Sequence, residues 1–189
     1  MKVRLSGRGV GPGQEAPAGC EIIAEDVTAQ RASEDYLRHL AATDALTGLA
    51  NYRRFAETLS AEIERSKRTG RSFAVLAFDL DGMKAINDRY GHLTGNRALC
   101  RLAQLFRFSC RSIDMAARCG GDEFALVLPE TGAKEAGLVA HRICASLAND
   151  NETPALTVSV GVAIYPENGE TIEDLLHVAD HALYKMKRQ

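Results

Sequence analysis

The stretch Arg118-Cys119-Gly120-Gly121-Asp122-Glu123-Phe124-Ala125-Leu126-Val127-Leu128-Pro129-Glu130 sets two glycines and two carboxylates ahead of an apolar run. That is the pattern of a tight β-hairpin with a Gly-Gly turn. Glycine there supplies positive φ at no steric cost and leaves the backbone bare enough for a ligand to approach. Neighbours on an extended strand point to opposite faces, so of Asp122 and Glu123 one can enter a site while the other addresses its rim. An acidic pair at a bare turn suits divalent-metal and phosphate chemistry. A solvated hairpin whose acids only keep it soluble would carry the same residues. The stretch by itself leaves both readings open.

The chain around it has 189 residues, 46% apolar and 25% charged, with a net charge of −2. That length suits one domain plus a short attachment, and the composition is that of a soluble globular protein. Without a basic excess there is no electrostatic case for nucleic-acid binding. No apolar run approaches the ~20 residues of a membrane span. The start, Met1-Lys2-Val3-Arg4-Leu5-Ser6-Gly7, lacks the apolar core of a signal peptide. Cys20, Cys100, Cys110, Cys119 and Cys144 are odd in number and lack metal-type spacing. Reduced thiols in a cytoplasm account for them, with Cys119 a small buried filler.

Taken in order, residues 1 to about 19 are rich in Gly and Pro and read as loop or frayed end. Cys20-Glu21-Ile22-Ile23-Ala24 reads as one short strand, which cannot be stable alone and looks like the last piece of something cut away. A helix is expected from Ala29 to Ala42, with Tyr36, Leu37, Leu40 and Ala41 on one narrow stripe that wants a partner. After the turn-rich Asp44-Ala45-Leu46-Thr47-Gly48-Leu49-Ala50-Asn51, Phe55, Leu59 and Ile63 predict a helix to about Lys67.

Phe73-Ala74-Val75-Leu76-Ala77-Phe78 suits a strand buried on both faces, and it ends in Asp79-Leu80-Asp81-Gly82. Carboxylates at such an end are costly unless a metal or partner meets them. A calcium hand is excluded, because Met83 stands where a third oxygen ligand belongs. Helices are predicted from Gly95 to Phe108, Ala133 to Leu147 and Asp174 to Lys187. Leu156, Val158, Val160, Val162 and Ile164 alternate as a strand. Helices alternating with strands around a hairpin predict an α+β sandwich: a mainly antiparallel central sheet flanked by helices. No glycine-rich phosphate loop is present, so a nucleotide site must use a metal.

If the strand ending at Asp79 neighbours the hairpin, Asp79 and Asp122 lie side by side. Two carboxylates and a backbone carbonyl leave positions open, which is how magnesium is held with substrate phosphates. Glu123 could then take a proton from an attacking hydroxyl, and Lys84 could neutralise charge at phosphorus. A solvated lysine is the plainer account of Lys84 taken alone.

Gly120-Gly121-Asp122-Glu123-Phe124 preceded by Arg118, Asp79-Leu80-Asp81 followed by Lys84, Asn87-Asp88 and Gly91-His92, Asp44-Ala45-Leu46-Thr47-Gly48-Leu49 with Asn51, and Ala179-Asp180 with Ala182-Leu183-Tyr184 and Lys187 together resemble a GGDEF domain from about Asp44 to the end. The resemblance implies a ferredoxin-like palm, as in nucleotidyl cyclases and polymerases, that condenses two GTP into cyclic di-GMP. It implies two Mg2+ or Mn2+ ions held by Asp79, the Leu80 carbonyl, Asp122 and Glu123, with Glu123 also activating the ribose 3′-hydroxyl. Gly82, Met83, Lys84 and Lys187 match triphosphate contacts, and Asn87 a guanine contact. One chain binds one GTP, so two chains must meet as a homodimer.

Where the family usually has Asp, this chain has Asn96. A carboxylate accepts both guanine donors, whereas an amide meets one and also complements adenine, so guanine selectivity is weakened unless a water or a small shift restores the pairing. Arg111-Ser112-Ile113-Asp114 matches the family's RxxD inhibitory product site, with Arg142 as a third contributor. An arginine usual four residues after the Lys187 position is missing, since the chain ends at Gln189. Residues 1–28 resemble the exit of a PAS sensory domain and 29–43 its signalling helix, leaving 44–189 as the catalytic domain. A cyclic di-GMP receptor without turnover is the rival class, and such receptors usually have a corrupted hairpin motif.

Overall fold

The structure, a computed structural model, describes residues 3–10, 19–29 and 42–188. It divides into two units, Met1–Ala41 and Ala42–Gln189.

In the first unit, β1 (Val3–Val10) pairs antiparallel with β2 (Gly19–Asp26), with Val3 opposite Asp26 and Val10 opposite Gly19. Over residues 3–10 this replaces the expected loop with a strand, and it lengthens the strand expected at Cys20–Ala24; the rest of the expected loop lies outside the described residues. Gly7 and Gly9 lower the strand propensity of this segment, but a full ladder of eight partners decides its conformation. The helix expected over 29–43 falls mainly on 30–41, outside the described residues.

The second unit is an α+β sandwich. Its sheet has the order β3-β5-β6-β4-β7, with β3 Ala50–Asn51, β4 Phe73–Leu80, β5 Met115–Gly120, β6 Glu123–Pro129 and β7 Val158–Tyr165. β3 runs parallel to β5, and every other neighbouring pair is antiparallel. The named helices are α1 Tyr52–Thr69, α2 Met83–Tyr90, α3 His92–Ser109, α4 Ala133–Ala148 and α5 Ile172–Lys187.

The central strand β4 sorts its side chains by period two. Ala74, Leu76, Phe78 and Leu80 pack with α2, α3 and α4 through Ile86, Leu102, Phe106 and Ile143. Phe73 and Val75 pack on the other face with α1 and α5 through Phe55, Leu59, Leu175 and Ala179. Asp79 continues that second series, so its carboxylate faces the α1–α5 side. α1 starts where Asn51 Oδ1 accepts from the Arg54 amide at 3.1 Å, and it stops at the left-handed Gly70.

Glycine at Gly161 and Gly121 shapes this end of the sheet. A Cβ on Gly161 of β7 would fall 1.9 Å from the Ala179 carbonyl oxygen, so α5 can lie against the sheet backbone only because that atom is absent. At the hairpin the two turn residues are Gly121 and Asp122, since Gly120 already pairs with Glu123. The expected Gly-Gly turn is therefore shifted by one residue. A bulge between Arg118 and Gly120 uses up Cys119, and Gly121 alone takes the positive φ, 48°.

Candidate active site at the hairpin end of the sheet

Register brings the acids together. Asp79 is the partner of Glu123 across the β4–β6 ladder, and the Leu80 amide donates to the Asp122 carbonyl at 3.1 Å. Asp79 is only 8% exposed. Its burial, with Asp122 nearby, pushes its carboxyl above the usual range, although the Lys187 ammonium pulls the other way. Lys187 Nζ donates to Asp79 Oδ2 at 2.7 Å. That contact follows from the Gly161 approach, which seats α5 with its last turn over the end of β4.

Asp79, Glu123, Asp180 and Lys187 line a cleft of about 380 Å³ whose walls include Tyr52, Phe55, Cys119 and Tyr184. Burial and the nearby Glu123 and Asp180 push the Cys119 thiol up to about 12, so it stays protonated and acts as filler. Asp81 has its own partners: Ser159 Oγ donates to one oxygen at 2.8 Å and Thr157 Oγ1 to the other at 2.9 Å.

The donor set at this end is all oxygen, which suits Mg2+ or Mn2+. Asp79 and Asp122 crowd negative charge that a divalent cation would neutralise. Among the described residues no three His, Cys, Asp or Glu side chains converge on one point.

The helix α2, absent from the sequence reading, begins directly after this end of β4. Gly82 is its cap at φ 70°, and Met83 and the exposed Lys84 form its first turn. Free amides at such a start favour an anion. On its far turn Asn87 leans on α3 so closely that a Cβ on Gly95 would fall 2.0 Å from Asn87 Oδ1. The next residue, Asn96, is exposed. Asn87 and Asn96 therefore belong to the α2–α3 edge and do not line the acidic cleft.

Arg111, Asp114 and Arg142 form a separate region. Asp114 Oδ2 accepts from the Arg111 amide at 2.7 Å, so this acid caps its own turn and is not paired with the Arg111 guanidinium. Asp114 Oδ1 is buried with no hydrogen-bond partner, which no other side-chain oxygen or nitrogen among the described residues shares. Arg111 and Asp114 line a cleft of about 360 Å³ with Gly48, Leu49, Ala50 and Arg107. Arg111 and Arg142 line a neighbouring one of about 490 Å³ with Phe108 and Glu135. Arg142 Nη2 donates to the Ser109 carbonyl at 2.7 Å.

The family pattern described as diguanylate cyclase, GGDEF domain, matches residues 41–189. The chain belongs to the GGDEF family. This GGDEF domain is 38% identical over 167 residues to the diguanylate cyclase DgcM of Escherichia coli, covering 87% of this chain and 40% of that protein. It is 39% identical over 159 residues to the diguanylate cyclase TpbB of Pseudomonas aeruginosa, covering 81% of this chain and 37% of that protein. The chain thus spans less than half the length of these curated relatives. Among solved structures it resembles the diguanylate cyclase SiaD of Pseudomonas aeruginosa, at TM-score 0.75 and 36% identity over 85% of this chain and 63% of that one. It also resembles the coiled coil and GGDEF domain of DgcB from Caulobacter crescentus in complex with c-di-GMP, at TM-score 0.79 and 28% identity over 86% and 89% of the two chains.

Sequence reasoning gave no role to Arg118 and Asp44, although both stand in the quoted motifs. In the structure Arg118 Nη1 donates to both Asp44 oxygens at 3.1 Å. Tyr52, Asp180 and Tyr184 were also unassigned and line the acidic cleft. The signal available for Arg118 was its fixed place just before the turn.

Proposed function

We propose that residues 44–189 act as a diguanylate cyclase, joining two GTP into one cyclic di-GMP and two pyrophosphates. The observation that carries this reading is the charge imbalance at the hairpin end: Asp79 opposite Glu123, Asp122 beside them, and Lys187 as the ammonium on Asp79. Asp79, the Leu80 carbonyl, Asp122 and Glu123 would hold two divalent ions, Mg2+ or Mn2+, which would supply charge stabilisation for the phosphoryl transfer.

Glu123 accepts the proton of the ribose 3′-hydroxyl, whose oxygen bonds to the α-phosphorus of the other GTP. The bond from that phosphorus to the oxygen bridging to the β-phosphate breaks, and pyrophosphate leaves. Lys84 and the amides of Gly82 and Met83 hold the triphosphate at the α2 start, and Lys187 exchanges Asp79 for a phosphate oxygen. Asn87 and Asn96 read the base. A homodimer brings two such half-sites face to face, in the cytoplasm where GTP is found. Residues 1–28 belong to a sensory unit that acts on the catalytic domain through 29–43.

Product binding at Arg111, Asp114 and Arg142 gives feedback, and the unpartnered Asp114 Oδ1 supports a ligand with N–H donors there. The test is incubation of the chain, fused to a dimerising segment, with GTP and Mg2+, followed by chromatographic separation. Cyclic di-GMP and pyrophosphate in a one-to-two ratio are expected. Retention of cyclic di-GMP without any turnover would replace this reading with that of a receptor.

A further inference from the structure

The turn that carries Asp122 is anchored by Arg118 of its own strand β5, which is itself held by Asp44, and by Leu80 of β4. Arg118 Nε and Nη2 donate to the Gly121 carbonyl at 3.0 and 2.6 Å, while Nη1 holds Asp44. The next carbonyl, that of Asp122, is held by the Leu80 amide. A displacement of the Arg118 guanidinium therefore shifts the Gly121–Asp122 peptide against a fixed neighbour, and with it the Asp122 carboxylate.

Asp44 lies in the loop by which the chain enters the domain. Its Oδ1 also accepts from the Thr47 amide at 2.8 Å and the Thr47 hydroxyl at 2.7 Å. Burial opposes its ionisation, but Thr47 and Arg118 outweigh that and hold its carboxyl below the usual range. The Asp44 and Arg118 side chains are 23% and 14% exposed, so water screens this pair less than a surface one. From the other side Arg107 Nη2 donates to the Thr47 carbonyl at 2.8 Å, and Gly48 lies against the same guanidinium. Gly48, Leu49, Ala50 and Arg107 are walls of the cleft that contains Arg111 and Asp114. One run of hydrogen bonds thus leads from that cleft through Arg107, Thr47, Asp44 and Arg118 to the catalytic turn.

We propose that Arg118 is a positioning residue, and that the loop clamped between Arg107 and Arg118 is the element through which a ligand in the Arg111–Asp114 cleft alters the placing of Asp122 within one chain. The inference rests on the cyclase reading for its consequence but not for its geometry. A guanidinium is needed at 118, since its planar fork addresses Asp44 and Gly121 at once; a lysine ammonium is a point charge that can serve one of them.

The test is hydrogen-exchange mass spectrometry on the full chain with cyclic di-GMP as probe, in wild type, Asp44→Asn and Arg118→Lys. In wild type the probe is expected to slow exchange at 44–50 and also at 119–124. In each variant the slowing at 44–50 persists and that at 119–124 is lost. If Asp44→Asn does not fold, Arg118→Lys carries the comparison alone. In turnover, each variant is expected to lower kcat at least tenfold with KM for GTP within threefold, and the double variant to be no worse than the weaker single. Slowing at 119–124 that is absent in wild type, or equal in wild type and variants, would overturn the proposal. A wild type that makes no cyclic di-GMP would overturn the cyclase reading, while exchange still decides the relay.

Discussion

At one end of the β4–β6 pair, Glu130 receives guanidinium groups from both Arg65 and Arg71. At the other end, where Asp79 faces Glu123 and Asp122 lies in the turn, the ion pair formed is that of Asp79 with the Lys187 ammonium. The same two strands thus finish in opposite electrostatic conditions. Hydrogen bonds from Arg71, helped by the charge of Arg65, hold the Glu130 carboxyl below its usual range, whereas burial and Asp122 hold Asp79 above it. An acid satisfied by the fold stabilises it and has no capacity left for a ligand. An acid left short of cations costs stability, and under the proposed cyclase function that cost is kept where a metal and phosphates would be bound.

The sharpest way to break this comparison is Asp79→Asn. It should lower cyclase turnover by roughly 10³-fold or more, the loss of several kcal/mol of charge stabilisation. It should leave the metal-free unfolding midpoint unchanged or raise it by about 2–4 °C, since a buried charge is removed. A midpoint lowered by several degrees in calorimetry would mean that Asp79 is structural.

Arg111→Ala comes next. Losing charge-assisted hydrogen bonds worth about 1.5–3 kcal/mol should weaken product inhibition at least tenfold at unchanged initial rate. Unchanged progress curves would remove the Arg111–Asp114 cleft from the feedback site. Asn96→Asp should then raise the preference for GTP over ATP by about tenfold, within the ~1–3 kcal/mol set by an unpaired buried donor. Equal selectivity in competition assays would show that Asn96 does not read the base.

The smallest effect belongs to the satisfied end. Glu130→Gln should lower the midpoint slightly at pH 7 and leave turnover alone. Because its folded pKa is depressed, the stabilisation by Glu130 is complete above its ordinary value of 4.5 and fades as pH falls through the lowered one. Wild type and variant should therefore converge in acid; a gap that widens there would contradict the ion-pair account.

Much of this was legible in the chain. The apolar run ending at Asp79 announced a buried strand, and the acids after a glycine announced its neighbour. What was not legible has particular causes. The α2 helix buries only Ile86, too little to print a helical period. β3 is two residues long and is defined by its pairing with β5 and by a bridge from Thr43 to Ala50. The turn moved by one residue because a bulge at Cys119 depends on the facing strand. Asp44 and Arg118 are 74 positions apart, and only folding brings them within hydrogen-bonding range. The contact of Lys187 with Asp79 depends on Gly161, whose missing side chain lets α5 sit on β7.

The central claim is that the hairpin end is left short of positive charge in order to bind divalent metal with GTP. Mn2+ titration followed by electron paramagnetic resonance, with 3′-deoxy-GTP so that no 3′-hydroxyl can attack, tests it most directly. Two Mn2+ per chain in wild type, both weakened at least tenfold in Asp79→Asn, is the expected result. Equal Mn2+ binding in the two proteins would contradict the account.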